Sequence, residues 1–171
     1  MVSRYLFGPF SRLGLVVAAL TALADQALKL WLIYGFDLAH RGRFALAPYV
    51  DLVLNWNTGI SYGLFRDQGT VGQWILLAVK VVAVALLWAW LARAPSRLSA
   101  IALGLIIGGA VGNAIDRWTF GAVADFVLLH FSTATWHFEW YVFNLADVAI
   151  VAGVIGLLWD ALVPRSAAKA P

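Results

Sequence analysis

Four apolar runs, at about residues 13–34, 72–91, 98–118 and 143–163, constrain this chain more than anything else in it. Each is long enough to carry about 20 helical residues through a hydrocarbon layer of about 30 Å. Inside lipid the backbone must satisfy its own hydrogen bonds, and a helix does so within one segment. The composition agrees: of 171 residues, 63% are hydrophobic and 12% charged, whereas a soluble domain needs a surface about a quarter to a third charged. The expected fold is an all-α integral membrane protein with four transmembrane helices, built as a single membrane domain over residues 1–171.

The basic residues orient the runs. Arg4 and Arg12 precede the first, Arg93 and Arg97 lie between the second and third, and Arg165 and Lys169 follow the fourth. By the positive-inside rule both termini are cytoplasmic, and the connections at about 35–71 and 119–142 face outward. Arg41, Arg43 and Arg66 in the first outer loop are accompanied by Asp37, Asp51 and Asp67 and do not reverse the bias. Trp31, Trp74, Trp88, Trp118, Trp140 and Trp159 all lie near run ends, where amphipathic rings favour the membrane interface. Within the first outer loop, residues 44–57 (FALAPYVDLVLNWN) mix β-branched and aromatic residues in partial alternation and suggest a small β element lying on the membrane surface. The first run also resembles a cleavable signal peptide with Ala22, Leu23 and Ala24 at the cut, but its apolar character continues through residues 28–36, beyond what a removed segment needs.

Several function classes drop out. With no cysteine there is no disulfide framework, thiolate nucleophile or cysteine-bound metal. His40, His130 and His137 lack metal-ligand spacing, so no metal and no cofactor are expected. The net charge of +3 is spread over run ends and forms no stripe for nucleic acid. No GxSxG motif supports a serine mechanism.

What remains is a set of polar groups that lipid should reject. Asp25 and Lys29 stand i, i+4 in the first run, a spacing that pairs acid and ammonium on one helix face. Lys80 in the second run has no obvious partner. In the third, Gly104, Gly108 and Gly112 clear a face for a neighbouring helix, and Asn113, Asp116 and Arg117 crowd its outer end. Asp125 follows between Val123 and Phe126, and the fourth run opens FNLADVAI, with Asn144 and Asp147 one turn apart. Read along the topology, these residues gather in the outer third of the bilayer, with Asp25 somewhat deeper. A pocket between helices, open to the outer face, accommodates them at least cost.

Two approaching carboxylates share a proton and separate into an acid and a base. With a water between them, they can hydrolyse an amide without metal or thiol. A transporter is the rival from another class, since buried acids also relay protons. It would place its site near the midplane and show internal repeats. A purely structural membrane subunit is the third reading, and it would tolerate neutral residues at both Asp125 and Asp147.

Residues 112–127, GNAIDRWTFGAVADFV, together with FNLADVAI, DQALK in the first run and NTGISYGLF after residue 55, resemble the lipoprotein signal peptidases, or signal peptidase II, in order and along the whole chain. The resemblance implies an aspartic endopeptidase of the bacterial inner membrane, its active site toward the periplasm. Such an enzyme removes the signal peptide of prolipoproteins on the amino side of a diacylglyceryl-modified cysteine. It implies Asp125 and Asp147 as the catalytic pair. Asn57, Gly59, Asn113, Asp116, Arg117, Asn144, Asp25 and Lys29 match the family's substrate-binding or supporting positions. It further implies lipid-modified precursors and membrane lipids as partners, a monomer, and inhibition by the cyclic peptide globomycin. Ile60, Ser61 and Tyr62 depart from the small residues and Phe usual after Asn-x-Gly, which bears on loop contacts and not on the pair.

Overall fold

The computed structural model describes residues 6–58 and 69–163. Helix α1, Ser11–Leu30, passes into a π-helical turn, Trp31–Gly35, and then a short helix α2, Leu38–Arg41. Strands β1, Phe44–Ala47, and β2, Val50–Asn57, follow. Helices α3, Gly69–Leu91, and α4, Arg97–Phe120, lead to strands β3, Val123–Ser132, and β4, His137–Glu139, and the chain ends in α5, Leu145–Leu162.

Among the described residues, three helical segments are long and apolar enough to cross a membrane: Ser11–Gly35, Arg97–Phe120 and Leu145–Leu162. Helix α3 adds a shorter apolar stretch, Leu77–Leu91. The protein is an integral membrane protein, mostly helical, with a small sheet. The helix bounds fall within a few residues of the apolar runs, because hydrocarbon selects length and composition directly. The connection at about 119–142 differs from expectation. It carries two strands rather than only a loop, and the four strands form one antiparallel sheet in the order β1-β2-β3-β4.

Helix α4 is the central element, packed against α1, α3 and α5. Its start is fixed by Ser96, whose side chain accepts the Ser99 N–H at 2.9 Å, satisfying one of the donors a helix leaves unpaired. Its end is fixed by Gly121 at φ 71°, whose N–H returns to the Arg117 carbonyl. Left-handed backbone of this kind suits glycine, and here it turns the chain abruptly into β3. Along the α1 side, a Cβ added to Gly108 would lie 2.5 Å from the Ala18 carbonyl oxygen, so the two backbones meet at a distance only glycine permits. One turn further along α4, a Cβ on Gly112 would lie 2.6 Å from Asp25 Oδ2. The glycine row thus packs two helices and then opens a recess for a carboxylate.

Two apolar clusters frame that recess. Ala18, Leu91, Ala100, Leu103 and Ile107 pack the interior of the helices. Leu32, Leu38, Leu52 and Phe126 fasten the sheet onto the end of α1. Arg43 bridges Asp51 and, at 2.6 Å, Glu139, tying β2 to β4 across the sheet. Before α5 begins, Phe143 pairs with Val127: the Val127 N–H donates to the Phe143 carbonyl at 2.8 Å and the Phe143 N–H donates back at 3.0 Å. This bridge sets the first turn of α5 beside Asp125 on β3.

Candidate active site

The N-terminus of α5 is the foundation of the site. Asn144 is its N-cap in extended backbone, not a residue of the helix face, and it forms a reciprocal capping box with Asp147. The Asp147 N–H donates to Asn144 Oδ1 at 3.0 Å, and the Asn144 N–H donates to Asp147 Oδ2 at 3.2 Å. Two otherwise unpaired helix donors are satisfied locally. The Asn144 amide then uses both of its own donors, toward Asp125 Oδ1 at 2.6 Å and Asn113 Oδ1 at 3.1 Å. Asn113 Nδ2 in turn donates to Asp147 Oδ1 at 2.9 Å. Asn144 therefore touches both carboxylates, one through its side chain and one through its backbone.

The orientation of Asn113 is dictated from behind. Its Oδ1 receives the Asn144 amide and also Lys29 Nζ at 3.0 Å. With two donors aimed at the oxygen, the amide nitrogen must point at Asp147. Lys29 is 1% exposed; its ammonium donates to Asn113 Oδ1 and is ion-paired with Asp25 Oδ2 at 2.8 Å and Asp116 Oδ2 at 2.7 Å. A buried ammonium survives only with such complete pairing.

Each of the two acids on Lys29 also holds backbone. Asp25 Oδ1 accepts the Ala146 N–H at 2.9 Å, placing a carboxylate of α1 against the first turn of α5, where the helix dipole favours negative charge. Asp116 Oδ2 accepts the Ala124 N–H at 3.1 Å, next to Asp125 in β3. The cluster under the site thereby fastens α1, α4, α5 and β3 together. Gln26 belongs to it as well, although its sequence signal was confined to its place in DQALK. Its Nε2 donates to Asp116 Oδ1 at 2.7 Å and to the Gly112 carbonyl at 3.0 Å.

Asp125 lies on β3, outside the membrane-spanning helices, and is 2% exposed. Asn57 at the end of β2 donates to its Oδ2 at 3.1 Å, across the diagonal of the sheet. Burial pushes the Asp125 carboxyl up to about 6, and the nearby Asp147 charge adds to the rise, while the hydrogen bonds from Asn57 and Asn144 oppose it. Asp147 is half-buried and forms the more open side of the pair. Arg117 is buried near the C-terminal end of α4, within electrostatic reach of Asp125 and Asp116. Gly59, the remaining candidate from the sequence, lies outside the described residues. Lys80 lines a cleft between α3 and α4 with Leu77, Val84, Val111 and Trp118, within electrostatic reach of Arg117, Asp147, Lys29 and Asp116. Among the described residues, no group of three or more His, Asp or Glu side chains is arranged to hold a metal ion.

The fold, an apolar helical bundle with a small sheet, is shared with solved structures described as bacterial membrane enzymes. One, at 2.3 Å resolution, is similar with a TM-score of 0.73 and 22% identity, covering 95% of this chain and 94% of that one. A second, at 1.9 Å, gives a TM-score of 0.72 and 21% identity over 94% of this chain and 99% of that one. The family profile for signal peptidase (SPase) II matches residues 17–163. The lipoprotein signal peptidase of Nitrobacter hamburgensis is 59% identical over 160 residues, covering 94% of this chain and 98% of the relative. That of Rhodopseudomonas palustris strain TIE-1 is 55% identical with the same coverage. The fold and the family together place the protein among membrane-embedded peptidases. The chain belongs to the signal peptidase II family.

Proposed function

We propose that the protein is an aspartic endopeptidase that removes the signal peptide from lipid-modified prolipoproteins, cutting on the amino side of the diacylglyceryl-cysteine, with Asp125 and Asp147 as the catalytic pair. The observation that carries this reading is Asn144. It holds two carboxylates from different elements in one hydrogen-bonded unit, one of them raised to about 6 and the other partly open.

In the proposed reaction a water sits between the carboxylates. Asp147 takes its proton as the oxygen attacks the scissile carbonyl carbon, while protonated Asp125 donates to the carbonyl oxygen. The tetrahedral intermediate then collapses. The C–N bond breaks, a proton passes to the leaving nitrogen, and the new carboxyl terminus remains on the signal peptide. Asn113 and Asn144 keep the two acids oriented through the cycle. Asn57 and Arg117 flank Asp125 on the side where substrate would enter, and Gly59 belongs to the same expected loop.

The setting suits this substrate. Four spanning helices with cytoplasmic termini would put the cluster near the outer interface of the bacterial inner membrane, open toward the periplasm. The acyl chains of a lipidated cysteine stay in the outer leaflet, so its peptide bond arrives at that depth. The enzyme needs no cofactor in this mechanism, acts as a monomer, and is a target for globomycin. The test uses purified protein with one precursor, lipidated or not. Asp125→Asn and Asp147→Asn should each abolish cleavage of the lipidated form while inserting normally in membranes. Substantial turnover by either variant would overturn the pair, and equal cleavage without lipid would overturn the substrate assignment.

A further inference from the structure

The seam between α3 and α4 does not close beside the polar cluster. Leu77, Lys80 and Val84 share one face of α3, and Val111, Ala114 and Trp118 repeat the same spacing on α4. Between the two stripes lies a cleft of about 440 Å3, and Lys80 is the one charged group on its walls. Val111 to Trp118 are the same turns of α4 that carry Asn113, Asp116 and Arg117. The cleft and the proposed catalytic pair are therefore level with each other, on different sides of one helix.

Lys80 is half-buried there, and among the described residues its ammonium has neither a hydrogen bond nor an ion pair. Arg117, Asp147, Lys29 and Asp116 act on it through space alone. Lys29, by contrast, is fully engaged by Asn113, Asp25 and Asp116. An unpartnered cation among apolar side chains is costly, and within a membrane protein it marks a place where something else supplies the acceptor.

Resting on the function proposed above, we infer that this cleft is the subsite for the substrate's diacylglyceryl group, with an acyl chain between the two stripes and Lys80 donating to an ester carbonyl oxygen. The occupant has to combine hydrocarbon with an acceptor, because the walls are apolar and their one polar group is a donor. It also has to be neutral. With Asp125 protonated, as in the proposed reaction, Lys29, Arg117 and Lys80 balance Asp25, Asp116 and Asp147, so a phosphate would leave the cluster with excess negative charge. An ester satisfies both conditions. The diacylglyceryl group hangs from the cysteine next to the scissile bond, so its ester oxygens arrive only a few bonds away from the carbonyl under attack. Lys80, within electrostatic reach of Asp147, stands where they arrive.

The test compares two precursors of one sequence on full-length enzyme in lipid nanodiscs. One carries the diacylglyceryl group, and the other a dialkylglyceryl ether that keeps the chains but lacks the carbonyl oxygens. The unmodified enzyme should cleave both, with KM roughly tenfold lower for the ester, the scale of one hydrogen bond from a charged donor. Lys80→Met should raise KM for the ester by that factor and leave KM for the ether unaltered. Lys80→Arg, which keeps a donor, should retain most of the preference. Ala114→Leu, which fills the cleft, should raise KM for both long-chain precursors and not for an ester with short acyl chains. Equal KM for ester and ether in the unmodified enzyme, or equal effects of Lys80→Met on the two, would overturn the ester contact. Unchanged KM at every chain length in Ala114→Leu would make the cleft an ordinary lipid-facing crevice and overturn the subsite. Failure of the unmodified enzyme to cleave either precursor would instead remove the parent reading, and this one with it.

Discussion

Lys29 Nζ donates to Asn113 Oδ1 at 3.0 Å, and in doing so it turns the other end of that amide toward Asp147. The ammonium is beneath the site rather than in it, yet it decides which atom the carboxylate meets. Lys29→Met should leave Asp25 and Asp116 buried without a counter-charge, costing about 3–5 kcal/mol. Thermal unfolding in detergent checks this, and adding Asp116→Asn to Lys29→Met should recover part of the loss.

Asn144 does two separable things, capping a helix and joining two acids. Asn144→Ser retains a good N-cap and should lower stability by no more than about 1 kcal/mol, but it removes the donors to Asp125 and Asn113. Peptidase kcat should fall at least about tenfold, because the lost contacts orient the two carboxylates that the proposed mechanism uses in the transition state. Steady-state kinetics alongside an unfolding curve distinguishes the two effects.

Asp125, raised to about 6 from an ordinary 3.8, makes stability depend on pH with a definite sign. Its folded form holds the proton more tightly than the unfolded chain does. The contribution is therefore fully present below about pH 4 and is lost as pH rises through about 6. Unfolding midpoints measured from pH 4 to 7 should fall over this window, and Asp125→Asn should flatten the slope. In the proposed mechanism kcat should decline over the same range as the acid form of Asp125 disappears.

Gly112→Ala should injure the site without touching either proposed catalytic carboxylate. The added methyl would meet Asp25 Oδ2 at 2.6 Å and push the carboxylate away from Lys29 and the Ala146 N–H. A loss of about 1–3 kcal/mol is expected from overpacking of this kind. Replacing Asp25 by Asn in the same chain should add less than Asp25→Asn costs alone, a coupling that a double-mutant cycle measures.

The helices were legible because lipid reads sequence almost as simply as hydropathy does. Depth along those helices also grouped Lys29, Asn113, Asp116, Asn144 and Asp147, which the structure brings together. The strand carrying Asp125 was not legible. Its inner residues, from Val123 to Phe126, are buried on successive positions, so the alternation that marks a half-exposed strand is missing. Nor could spacing reveal what Asp25 and Asp116 hold, since their partners at Ala146 and Ala124 are backbone N–H groups, which every residue but proline has. Asn144 was visible as a polar residue one turn before Asp147, but its role as a cap depends on where the helix begins, the least certain point in any sequence reading. Gln26 lacked a charge to draw notice.

The bridge between Phe143 and Val127 brings together two segments of different upbringing. Asp125 rides on a strand outside the membrane-spanning helices, whereas Asp147 opens the last apolar helix. Neither acid has its companion until that helix is placed and its lead-in residue has paired with the strand. Until then Asp125 also lacks the Asn144 donor that holds its Oδ1. If the proposed reaction is theirs, it cannot begin before assembly has joined them.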